Sequence, residues 1–287
     1  MSQFNNTNTS QKWNLIVDVA KCENCNNCYM TLLDEYVNNQ FPGYSESCPR
    51  HGHHWIQLDT QERGSGSLMD VAYLFTTCNQ CDNAPCMKAA KDKAIYKRAD
   101  GIVMIDPVRA KGQRELVTAC PYGHIWWNDE LGLPQKWCWD AHLLDADWKE
   151  PRPVSVCATG SLKAVKLNDS AMKVLADKEE LQVLHPEYGT HPRIWYKNLY
   201  RYTRAHIAGS VAVVANRVKD VVEGARVTLA HDGKEIASSQ TDMFGDFKFD
   251  AIEPDSGEYT ITVSSGSKKK ESKVVMGGST NVGVILL

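Results

Sequence analysis

Ten cysteines dominate the chemistry this chain can do, and their spacing is not random. Cys22, Cys25 and Cys28 form a C-x2-C-x2-C run. Cys78, Cys81 and Cys86 form C-x2-C-x4-C, with Pro85 shaping the turn. Cys120 is followed by Pro121, and Cys157 sits in VCATGSL, which reads as the closing C-P-T-G-A-L of a ferredoxin half with Ala158 in place of proline. Three thiolates on one tight loop converge on an iron–sulfur cube, and a remote Cys-Pro supplies the fourth ligand, as in the bacterial C-x2-C-x2-C-x3-C-P pattern. Zinc is the alternative. It prefers paired C-x2-C units and often histidine, so a three-cysteine loop suits a cube better.

The missing cysteines carry equal weight. A fourth cysteine in the first run would fall at Leu32 and in the second at Ala90. Upstream of Cys120, positions 110, 113 and 116 hold Ala110, Gln113 and Leu116. Upstream of Cys157, a C-x2-C pair after Lys136 is replaced by Trp137 and Asp140, with Cys138 out of register. In a four-cluster ancestor the first motif pairs with the last and the second with the third. On that rule one cluster of each pair keeps all its ligands. Cys22, Cys25, Cys28 and Cys157 hold cluster 1, and Cys78, Cys81, Cys86 and Cys120 hold cluster 2. Two further sites are vacated. The expected cofactors are two 4Fe–4S clusters, and the expected role is electron transfer with no catalytic residue on this chain.

Elements must bring these thiols together. WNLIVDV (13–19) reads as a strand running into Cys22, and GIVMIDP (101–107) as another ending in a proline turn. SAMKVLADKEEL (170–181) reads as a helix. After residue 205 short alternating β-branched segments appear between turn signals such as HDGK, FGD and DSGE. That pattern predicts a small antiparallel β-sandwich. The fold class is therefore α+β, with a ferredoxin-like two-half iron–sulfur domain over 1–204 and the sandwich over 205–287.

Bulk properties narrow the rest. At 287 residues the chain suggests two domains, and 43% hydrophobic with 23% charged residues fits a globular protein. A net charge of −3 offers no basic field for nucleic acid. No apolar run approaches the roughly 18 residues a membrane span needs. The start, MSQFNNTNTSQKWNLIVDV, is polar and lacks a twin-arginine pair and an apolar signal core, so the expected address is cytoplasmic unless a partner carries the export signal.

The strings VDVAKCENCNNC, FPGY, GHHWIQLDTQERG, CNQCDNAPC, KRADGIVMIDPVRAKG, ACPYGHIWWN, AHLLDADW and HPRIWYKNLYRY span the cluster region. Through them the chain resembles the iron–sulfur small subunits of the pyrogallol–phloroglucinol transhydroxylase and resorcinol hydroxylase branch, within the subunits that accompany molybdopterin enzymes of the dimethyl-sulfoxide-reductase type. TDMFGDFKFDAI is similar to that family's transthyretin-like carboxy-terminal domain. The resemblance implies a heterodimer whose large catalytic subunit carries molybdenum and pyranopterin guanine dinucleotides and acts anaerobically on phenolic aromatics, with an external electron acceptor as a further partner. It also implies a third cluster in the branch, at cysteines that Leu32, Trp137 and Asp140 replace here. Unusual ligation by Cys48, Cys138 or Asp140 is the alternative to a vacated site. For the whole chain the alternatives are a scaffold subunit with structural clusters, or the iron–sulfur subunit of another molybdopterin oxidoreductase.

Other features have two readings each. CPRHGHHW holds Cys48, His51, His53 and His54, a donor set for zinc or copper. Yet adjacent side chains on an extended segment point apart, which favours a polar loop. Trp126, Trp127, Trp137 and Trp139 either relay electrons or fill vacated volume, and the cost of an empty cavity favours packing. Lys163 either raises a cluster potential or is a solvated surface lysine. GSKKKESK (266–273) reads as a charged strand edge.

Overall fold

The computed structural model describes residues 11–215 and 217–287. The polar first ten residues, read above for export signals, lie outside the described residues. The chain divides into two compact units. One comprises the residues up to Asp59 with Tyr73–Leu199, and the other Thr60–Ala72 with Tyr200–Leu287. No described helix is long and apolar enough to cross a membrane.

The first unit mixes short helices with small sheets. Its framework is a three-stranded sheet with Lys12–Asp18 at the centre, antiparallel to Leu162–Leu167 and parallel to Ile194–Lys197. Leu15, Ile16 and Val17 are all buried, so the strand is covered on both faces, as its unbroken apolar run requires. One cover is the helix Asp169–Glu179, whose Met172 and Ala176 pack with Ile16 and Leu181. Its start is capped by the Asn168 side chain, which accepts from Ala171 N at 2.8 Å, and Asp169 complements the positive helix end. The register pairs Val17 with Leu162, which fixes where the chain enters and leaves the sheet. Two-stranded hairpins, Ile95–Lys97 with Val103–Ile105 and Trp126–Asn128 with Leu133–Gln135, fold the middle of the chain.

The second unit is two four-stranded sheets face to face. In one, Ala205–Ala215 is central: Asp246–Ile252 and Val218–Val221 pair with it antiparallel, and Thr280–Leu286 parallel. In the other the order is Lys234–Gln240, Arg226–His231, Gly257–Ser265, Lys268–Met276, all antiparallel. The expected sandwich is therefore not purely antiparallel. The last strand enters beside Ala205–Ala215 in the same direction, a pairing that alternation along a sequence does not encode. Ile207, Val211, Val227, Leu229, Phe247, Ile261 and Val263 close the core between the sheets. Gly209 leaves room for its neighbours, because a Cβ there would lie 2.6 Å from Val282 Cγ2 and 2.8 Å from Phe247 Cζ. Lys268–Met276 is an edge strand, and its exposed lysines guard it against pairing with another sheet.

Residues 60–72, the tip of the hairpin Ile56–Arg63 with Asp70–Thr77, belong to this second unit. Arg63 anchors them. Its guanidinium is buried and donates to Arg201 O (2.6 Å), His206 Nδ1 (3.1 Å) and Asp250 Oδ1 (2.5 Å).

Candidate iron–sulfur centres

The first quartet is assembled by the register just described. The central strand ends at Asp18 and runs into Cys22, while Cys157 lies five residues before the strand that opens at Leu162. Asp18 N donates to Ser161 O (2.8 Å) and Ser161 Oγ to Asp18 O (2.9 Å), which ties the two approaches together. Cys28 sits in the first turn of the helix Asn27–Tyr36. Cys22, Cys25, Cys28 and Cys157 line one pocket with Asn26, Leu58, Phe75, Thr159 and Leu162. Cys25 is exposed, Cys22 and Cys157 are half-buried, and Cys28 is buried.

The second quartet lies deeper. Cys78 follows the strand Asp70–Thr77. Cys86 rides the short helix Pro85–Ala89, where Pro85 occupies the first turn without losing a hydrogen bond. Cys120 opens a turn closed by Gly123 N donating to Cys120 O (3.1 Å), and Gly123 adopts φ +71°. Cys81 and Cys86 pack with Ile95, Val103, Leu116 and Ile125, and Cys120 lies against the same cluster. Cys78, Cys81 and Cys86 are buried and Cys120 half-buried.

Burial sets the electrostatics. It pushes the Cys28, Cys81 and Cys86 thiols up to about 12, and raises Cys22 and Cys120 as well. Within each set the neighbouring thiols add to the rise: Cys157, Cys22 and Cys25 on Cys28, and Cys78, Cys120 and Cys86 on Cys81. Opposing this, backbone N–H groups of Asn24, Tyr29, Met87, Tyr122 and His124 favour the thiolates of Cys22, Cys28, Cys86 and Cys120. Such a site resists four bare thiolates but welcomes them on a cationic core, so loading expels protons. Four thiols around one pocket, with N–H groups toward sulfur, fit a 4Fe–4S cube. Near the second set, Gln80 Nε2 is buried without a partner among the described residues, and cluster sulfurs accept such groups. Among the described residues no three His, Cys, Asp or Glu groups converge at single-ion distance.

All four cysteine-type motifs share one backbone signature. The residue just before the second ligand position has positive φ in each: Asn24 (+54°), Gln80 (+50°), Gly112 (+80°) and Trp139 (+58°). A left-handed bulky residue such as Trp139 is costly and uncommon. The loop 137–140 thus shares the turn of the two cysteine loops, with Trp137 and Asp140 at the positions where those loops carry cysteine.

Side chains fill the positions that the sequence reading takes as vacated. Leu32, Tyr36, Trp137, Trp139 and Asp140 are all buried. Asp140 Oδ1 accepts from Tyr36 Oη (2.7 Å) and Trp137 Nε1 (2.8 Å), and Oδ2 from Arg152 N (2.8 Å). Burial pushes its carboxyl up, and these donors oppose the rise. Cys138 Sγ lies 3.3 Å from the Tyr36 hydroxyl. At the other vacated site Ala110 and Leu116 are buried. Gln113 accepts from Lys91 N (3.0 Å) and donates to Arg109 O (2.8 Å), knitting its loop to the residue after Ala90. The carboxylate and amide are thus engaged in protein contacts.

The remaining candidates do not assemble. Cys48 is buried, its thiol pushed up to about 12 by burial. His53 is buried against Trp127 O at 2.9 Å, while His54 is exposed and stacks on Tyr29. His51 is exposed, so CPRHGHHW scatters its donors. Trp126 and Trp127 are half-buried, and Arg114 lies over the Trp127 ring at 5.1 Å. Lys163 is exposed. Two lysines near the second quartet, Lys97 and Lys136, escaped the sequence reading, because a lysine carries no spacing signal.

The sequence profile described as a 4Fe-4S dicluster domain matches residues 69–167. The pyrogallol hydroxytransferase small subunit of Pelobacter acidigallici is 42% identical over 281 residues, covering 96% of this chain and all of that one. A tetrathionate reductase subunit of Salmonella typhimurium is 28% identical over 66% of this chain and 73% of its own length. The selenate reductase beta chain of Thauera selenatis is 32% identical over 59% and 51% respectively.

Proposed function

The chain belongs to the family of iron–sulfur electron-transfer subunits of molybdopterin oxidoreductases, and from that premise we propose that its two cysteine quartets each hold one 4Fe–4S cluster. Cys22, Cys25, Cys28 and Cys157 would bind cluster 1, and Cys78, Cys81, Cys86 and Cys120 cluster 2. When bound, each cluster supplies a one-electron couple. The residues of this chain do the rest: the thiols fix each cube, the apolar walls exclude water, and backbone N–H groups meet the sulfurs. The single observation that carries this reading is the gathering of Cys157 with Cys22, Cys25 and Cys28 around one pocket, although Cys157 is far from the other three in the sequence.

In this reading the partner is a large catalytic subunit carrying molybdenum and pyranopterin guanine dinucleotides, which acts on phenolic aromatics under anaerobic conditions and delivers electrons to an external acceptor. The near full-length similarity to a pyrogallol hydroxytransferase small subunit supports it. The unit built from the residues up to Asp59 with Tyr73–Leu199 serves as the cluster-binding domain. Residues 205–287 form a transthyretin-like domain, a reading supported by the two facing sheets. A cytoplasmic address remains part of this reading, resting on the polar start of the sequence. The test is dye reduction by the purified complex with a polyhydroxylated benzene. Reduction of the dye in step with substrate use is expected. Hydroxyl transfer with no dye reduced would overturn delivery to an external acceptor.

A further inference from the structure

Lys136 is 4% exposed, immediately before the loop of a vacated cluster site. Its ammonium donates to Val103 O (2.5 Å) and Trp137 O (3.3 Å), both backbone carbonyls. Among the described residues no carboxylate lies within 4.0 Å of it. Val103 packs with Cys81 and Cys86 in one apolar cluster, so the residue whose carbonyl holds this ammonium also lines the second quartet.

Lys97 offers the contrast. It donates to Gln80 O (2.9 Å) and Cys81 O (2.8 Å) beside the same quartet, yet its charge is matched by Asp82 at 2.6 Å. A buried ammonium without a counter-charge is strongly disfavoured. A cube on four thiolates is anionic, and more so by one charge when reduced. Among the described residues Lys136 has no carboxylate partner, so a cluster at the second quartet would supply its counter-charge, with the attraction strongest for the reduced form. Among the described residues no other lysine is buried, and at the first quartet Cys25 is exposed to solvent and Lys163 is solvated.

We propose that Lys136 is a positioning charge for cluster 2, raising the reduction potential at Cys78, Cys81, Cys86 and Cys120 above that at Cys22, Cys25, Cys28 and Cys157. The inference rests on the cluster assignment made above. It gives the second vacated motif a use: the motif's sulfurs are gone, but the lysine that opens its loop serves the neighbouring cluster.

The experiment is a potentiometric titration followed by electron paramagnetic resonance on the intact complex. Lys136→Met should lower the higher-potential couple of this chain, with the ratio of reduced to oxidised cluster at fixed potential falling about tenfold, which is 59 mV for a one-electron couple. Lys136→Arg should keep the couple near its original place, and Lys163→Gln should move neither. Cys120→Ser assigns the couples without touching the lysine: the higher one should shift or vanish. If the lower couple responds to Cys120→Ser, the inference is overturned. It is also overturned if Lys136→Met loads fully and leaves the higher couple in place. A preparation lacking about eight irons per chain, or lacking two couples, would overturn the cluster assignment instead.

Discussion

Trp137→Ala is the sharpest test of the claim that packed side chains have replaced a cluster. Trp137 is fully buried, its ring centroid lies 5.7 Å from that of Trp139, and its indole N–H donates to Asp140 Oδ1 at 2.8 Å. Truncating a buried tryptophan costs about 3–5 kcal/mol through lost transfer energy and the cavity left behind. Losing a hydrogen bond to a charged group adds about 1.5–3 kcal/mol. Asp140 keeps its Tyr36 and Arg152 donors, so the lower end of that range applies. The sum, about 4.5–6.5 kcal/mol, is a large share of the 5–15 kcal/mol typical of a whole domain. Because cluster proteins unfold irreversibly, the assay is the rate of thermal unfolding of the loaded protein, followed by loss of cluster absorbance. Trp137→Ala should unfold much faster than the parent while starting with the same iron content. Trp127→Ala, at a half-buried ring, should change the rate little. A Trp137→Ala protein that unfolds at the parent's rate, or that starts with less iron, would refute the reasoning.

Three further outcomes follow. Cys157→Ser should cost about four irons, one cube, and spare the second couple, whereas Cys48→Ser and Cys138→Ser should leave the iron content unchanged; loss of iron in either would place that thiol in a cluster. Asp145, gripped by Arg98, has its carboxyl pulled from 3.8 down to about 2. Its stabilising contribution is therefore present above about pH 4 and is lost as pH falls toward 2. Asp145→Asn should remove that loss from the acid-unfolding curve, by a small margin because the side chain is 41% exposed. Asn168→Ala should destabilise the helix Asp169–Glu179 by about 1 kcal/mol, readable as faster hydrogen exchange in that helix alone.

Much of the site was legible because cluster ligation imposes spacing. The proposed quartets, the positions read as vacated and the helix near 170–181 all leave periodic or fixed-offset marks. The left-handed turn at Trp139 did not, since tryptophan gives no hint of positive φ. Nor did the excursion of residues 60–72. Ile56–Arg63 is largely polar, and Arg63 finds His206 and Asp250 143 and 187 residues away. The strands Val218–Val221 and Lys234–Gln240 went unread because they are exposed and weakly patterned. Lys136 shows the general difficulty: whether a lysine is a solvated surface group or a buried charge depends on what folds over it, here Val103 from a hairpin 33 residues earlier.

The central claim is two intact clusters and two sites closed by side chains. Iron and acid-labile sulfide counted per copy of this chain test it most directly. About eight of each are predicted for two cubes, and about twelve would contradict the account by showing that Cys138, Asp140 or Cys48 supports a third.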